Sequence, residues 1–129
     1  MKPMQAIFLT AFLACAAAMA QAGNPYNGNW KATWEGTQGM QHRVNQAKVV
    51  ILDNGGSFQN QHKSKANPCV GQKAPIAVKS ATEGELIFVI QFSSVLKGCI
   101  DSEVSLKRVD DKTLKGLRDK DKPITLVRD

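Results

Sequence analysis

Short runs of alternating apolar and polar residues, each closed by glycine, proline, asparagine or aspartate, constrain this chain more than any other feature. A period of two places successive side chains on opposite faces of a β-strand. The runs are WKATWE (30–35), RVNQAKVVIL (43–52), SFQNQH (57–62), PIAVKS (75–80), ELIFVIQF (85–92), DSEVSLKRV (101–109), TLKGL (113–117) and PITLVR (123–128). One face of these runs is apolar: Trp30, Ala32 and Trp34; Ala47, Val49 and Ile51; Phe58; Ile76 and Val78; Leu86, Phe88, Ile90 and Phe92; Val104 and Leu106. No segment after residue 22 repeats at helical spacing. Asn54-Gly55 between the second and third runs is a hairpin signal, because a tight turn there needs positive φ.

Eight strands joined mostly by short links make antiparallel neighbours. Such a meander removes its edges by closing on itself or by packing as two sheets. The expected fold class is all-β, an eight-stranded antiparallel up-and-down barrel, with a β-sandwich as the alternative.

Residues 1–22 are read apart from this domain. Lys2 is the only charge before Lys31, an apolar stretch follows it, and AMAQA offers small residues at cleavage spacing. A signal peptide cut after Ala22 is expected, with Ala20 as the second choice. Lipid anchoring at Cys15 is the weaker alternative, because AFLAC matches an acylation motif poorly. Export implies a periplasmic or secreted protein. Removing 22 of 129 residues leaves 107, enough for one modest domain over residues 23–129.

Seventeen Lys and Arg, less Lys2, stand against eleven acids, so the exported chain carries about +5 with both histidines neutral. That balance favours anionic partners over strongly basic ones. Nucleic acid is not among them: a basic surface for bases is interleaved with aromatics, and no aromatic follows Phe92. Cleavage leaves Cys69 and Cys99, which in an oxidising compartment form one disulfide. His42 and His62 make no spaced cluster with them, so no metal or other cofactor is expected, and no CxxC motif marks a redox pair.

No catalytic constellation appears. Asp101 and Glu103 share a strand face without surroundings that would separate their pKa values, and Ser57, Ser93 and Ser94 lack a nucleophile motif. The candidate binding residues are Trp34 and Phe58, facing the interior, with Lys63, Lys65 and Lys73, which crowd a long acid-free loop. Trp34 is either a stacking platform for a ligand or filler for a short barrel. Val50, Leu52, Ile87 and Val89 are apolar on the opposite, outward face, as in a sandwich sheet covered on both faces or in a barrel that pairs there with a partner protein or a second copy in a homodimer.

Gly28-Asn29-Trp30 at the start of the first strand, with Arg128 near the end of the last, resembles the calycins: lipocalins, avidins and small bacterial metalloprotease inhibitors. The resemblance implies a closed barrel whose floor is plugged by Trp30, with the Arg128 guanidinium across its indole. It also implies either a small or anionic ligand at the barrel mouth, held without catalysis, or an inhibitor of a secreted enzyme. Inhibitors of this type act through an N-terminal segment, which here would be GNPYNG (23–28).

Overall fold

The computed structural model describes residues 23–38, 41–61 and 67–129. The proposed signal segment with Cys15, and His62, Lys63 and Lys65, lie outside the described residues. Eight strands follow in chain order: β1 Gly28–Gln38, β2 Gln41–Leu52, β3 Gly55–Asn60, β4 Lys73–Ala81, β5 Glu85–Ile90, β6 Ser102–Asp110, β7 Thr113–Arg118 and β8 Lys122–Arg128. Each pairs antiparallel with the next, and β8 returns to β1, so the sheet is a closed up-and-down barrel. The sandwich alternative is thereby set aside.

The inward face is the apolar face of the sequence pattern. Trp30, Ala32, Ala47, Val49, Ile51, Phe58, Leu86, Phe88, Ile90, Val104, Leu106, Leu114 and Leu126 are almost completely buried. At about 1.5–3 kcal/mol for each large side chain, this filling is the main force closing the sheet. Eight strands leave an interior that side chains can occupy completely, and here they do so in one continuous cluster.

Local departures from simple alternation have physical causes. The β2–β3 turn is centred on Asp53 and Asn54, with Leu52 paired to Gly55, rather than on Asn54-Gly55. Asp53 takes the left-handed conformation (φ 54°) because the N-terminal segment grips it. Its N–H donates to Asn27 Oδ1 (2.6 Å), and its carboxylate accepts from Asn27 Nδ2 (3.0 Å). Gly56, at φ 139°, then lets β2 and β3 approach so closely that a Cβ would lie 1.8 Å from Val50 O. β5 ends at Ile90, and Phe92 begins a short 3-10 turn, Phe92–Ser94, instead of continuing the strand. Asp101 caps that turn by accepting the Ser93 N–H (2.9 Å), which also holds its carboxyl below the usual carboxylate range. Glu103 pairs with Lys79 at 2.7 Å. The Asp101–Glu103 pair is therefore occupied in structural contacts.

Cys69 and Cys99 are bonded, with Cα atoms 5.8 Å apart. The bond ties the β3–β4 link to the β5–β6 link at one end of the barrel. It is compatible with an extracellular or periplasmic protein. Among the described residues no helix is long and apolar enough to cross a membrane.

The outward apolar residues lie as the alternation places them. Leu52 is 62% exposed, while Val50, Ile87 and Val89 are half-buried. β2 and β5 are not adjacent, but the rows between them are filled by small residues. Leu52 pairs with Gly55 and Ala77 with Val89; the β3–β4 register carried two residues on sets Gly55 beside Ala77.

Candidate functional site

The two barrel ends are built differently. At one end the chain seals itself. The Trp30 indole N–H donates to Tyr26 O (2.8 Å), and the Tyr26 hydroxyl donates to Thr82 O. Arg128 lies across the Trp30 ring, its guanidinium carbon 4.3 Å from the centroid. The same guanidinium donates to Asn27 O (2.8 Å), Pro25 O (2.9 Å) and Asp111 O (3.3 Å). Gly28, at φ 132°, makes room: a Cβ there would stand 2.9 Å from Arg128 Nη1. The contact that the resemblance implied is present, and the segment 23–28 is spent on this floor.

The opposite end is open. Trp34 is one strand pleat-pair beyond Ala32 on β1, and it begins a chain of aromatic contacts that runs through Phe58 to the half-buried Phe92. Trp34 and Phe58 have ring centroids 6.0 Å apart, and Phe92 meets Phe58 edge-on at 6.2 Å. The Arg118 guanidinium lies over the Trp34 ring at 5.2 Å. Beside Trp34 and Arg118 is an open pocket of about 820 Å³, whose charged lining is Arg118 and Lys122 with Glu35 and Asp121, and whose wall includes Gly36, Asn45 and Pro123. Its size falls in the range of about 300–1,000 Å³ common for ligand sites.

Arg118 carries the chemistry of this pocket. It is half-buried, and no carboxylate among the described residues lies within ion-pair distance of it. A guanidinium in that setting presents fixed donors to an anion, and a charge-assisted hydrogen bond contributes about 1.5–3 kcal/mol. Asn60 Oδ1 is buried without a hydrogen-bond partner among the described residues.

The expected binding residues separate in space. Trp34 (9% exposed) and Phe58 (1%) are interior, so Phe58 supports the cluster from below and Trp34 offers only its upper surface. Lys73 opens β4 and faces outward: it belongs to the outer row Lys31, Lys48, Gln59, Lys73. It does not line the pocket. The residue that alternation alone would have added is Arg118. It is four positions past Leu114 on the inward face of β7, and a charge at an inward position ending a strand belongs at a mouth.

Comparison with known proteins finds no matching family model, no matching curated protein and no matching solved structure.

Proposed function

We propose that the protein is an exported, non-catalytic binding module that holds a small anionic ligand at the barrel mouth. The observation that carries this reading is the half-buried Arg118 guanidinium above Trp34 in the open pocket, with no described carboxylate at ion-pair distance. A planar carboxylate fits best, because it can accept two parallel hydrogen bonds from the guanidinium while its apolar part rests on the indole. The net positive charge of the chain would speed encounter with such a ligand. An inhibitor acting through residues 23–28 has no support, since that segment is held on the closed end by Asp53, Trp30 and Arg128.

Tryptophan fluorescence tests the proposal. Trp30 is sealed in the floor, so a ligand at the mouth should perturb Trp34. Titration with a panel of carboxylates, benzoate among them, should produce a saturable change that Arg118→Gln weakens by about tenfold or more. A panel that leaves the emission of both proteins untouched would overturn it.

A further inference from the structure

The β1–β8 ladder stops early, and the register shows why. β1 pairs with β2 over its whole length, Gly28 to Gln38, but with β8 only from Trp30 to Thr33. Asp129 N–H donates to Asn29 O at 2.9 Å. Bonded pairs alternate along an antiparallel ladder, so Lys31/Val127 and Thr33/Thr125 are the next two that face each other through their backbones. One step further, Glu35 would face Pro123. Proline has no N–H to donate, β8 reaches only one residue further, to Lys122, and no β1–β8 pair follows Thr33/Thr125. The backbone groups of Glu35, and of Thr37 beyond it, are turned toward this gap, because those of Trp34 and Gly36 are turned toward β2.

A free strand edge of this kind is a template for another strand. Edges are commonly blunted by charge, proline, a bulge or shortness. The described β1 edge past Thr33 is short and carries one exposed charge, Glu35, but neither proline nor lysine; Lys122 and Pro123 stand across the gap. The gap is also the side wall of the pocket: Thr33, Glu35 and Gly36 line it from β1, Pro123 and Thr125 from β8. A residue of an added strand opposite Gly36 would point inward, beside the Asn45 amide, whose Nδ2 lies 2.7 Å from where a Gly36 Cβ would stand, and on the face where Arg118 lies over Trp34.

We infer that this gap is a strand-addition site for an extended acidic peptide of a partner protein. The peptide backbone pairs with Glu35 and Thr37, and an inward carboxylate seats on Arg118. The exposed carboxylates of Glu35 and Asp121, which also line the pocket, disfavour acids away from Arg118, so recognition is of one acid at the inward position rather than of a polyanion. This rests on the mouth being the binding site and names the ligand as a peptide.

The test uses the exported chain, labelled with nitrogen-15, and acetylated, amidated pentapeptides Val-Thr-Xaa-Thr-Val with Xaa as Glu, Gln or Lys. A fourth peptide is the Glu form N-methylated on alternate residues. The Glu peptide should shift the Glu35 and Thr37 amide resonances and slow their hydrogen exchange. It should bind about tenfold tighter than the Lys or N-methylated peptide, and Arg118→Gln should remove the preference for Glu over Gln. Pro123→Val, which restores the missing donor, should weaken binding severalfold by letting β8 pair with Glu35; β8 begins at Lys122, so Thr37 stays open. Equal binding of the N-methylated peptide, or unperturbed Glu35 and Thr37 amides, would overturn the inference. Binding of benzoate without the Glu peptide would overturn strand addition and leave the mouth reading standing. If neither binds, both fall. Protection of the two amides that grows with protein concentration alone would show the edge pairing with a second copy, and would also overturn it.

Discussion

Arg128 and Tyr26 show how much a single side chain holds at the closed end. Arg128 combines a cation–π contact with three hydrogen bonds to carbonyls, two from the segment before β1 and one from the β6–β7 turn. Arg128→Ala should therefore lower stability by about 2 kcal/mol, read as a drop in denaturant midpoint with unchanged slope. Tyr26 is 2% exposed, and burial raises its hydroxyl pKa above the ordinary 10.0, with Arg108 opposing and Glu85 and Glu83 adding to the rise. The folded state thus favours the neutral phenol. Its contribution is fully present below pH 10 and is lost as pH rises through the higher folded value. Tyr26→Phe should be less stable at neutral pH by about 1 kcal/mol, because the bond to Thr82 is gone. It should also decline less steeply in alkali than the wild type, as measured by denaturation at a series of pH values. Gly28, Trp30 and Arg128 were legible in the sequence because each sits at a strand end in a recognisable place. Tyr26 was not, because the GNPYNG segment has no periodicity to show which way its side chain turns.

At the scale of strands, alternation was legible almost everywhere because burial decides it: a slip of one residue would turn every core side chain to solvent. What alternation does not contain is where pairing stops. β5 ends before Phe92 because Gln91 leaves the extended conformation and Asp101 caps the turn that follows. The β2–β3 turn sits one residue earlier than Asn54-Gly55 because Asn27, distant in sequence, fixes Asp53. Lys73 reads as loop from composition, yet it begins β4 because Gln59 supplies a partner. The parting of β1 from β8 had a visible signal, Pro123, whose consequence depends on which neighbour its nitrogen faces. Pro123→Val is expected to extend the β1–β8 ladder through Glu35. The measurable outcome is a slowed hydrogen exchange at that new bond and a gain of about 0.5–1 kcal/mol in stability.

Over the whole molecule, the barrel is sealed at one end by the segment before β1 together with Arg128 and tied by a disulfide at the other, while its outer wall carries an apolar band. Leu52, Gly55, Ala77 and Val89 form one row across β2, β3, β4 and β5, with Val50 and Ile87 flanking it. No residue of the described chain covers Leu52, which at 62% exposed forgoes most of the burial, about 1.5–3 kcal/mol, that a leucine can contribute. The small residues at the centre of the row make it shallow, so a flat, self-complementary surface fits it, and a two-fold contact presents one. The bordering row of Lys31, Lys48 and Lys73 limits how such a contact is made: like charges repel, so the lysine rows of the two copies must lie apart. Self-association should therefore strengthen with salt, as screening reduces that repulsion over a Debye length of about 8 Å at physiological ionic strength. Light scattering on a sizing column should show the wild type as a dimer, and Leu52→Lys with Val89→Lys as a folded monomer. A wild type that stays monomeric at high salt and high concentration would show that the band is an ordinary part of the barrel wall.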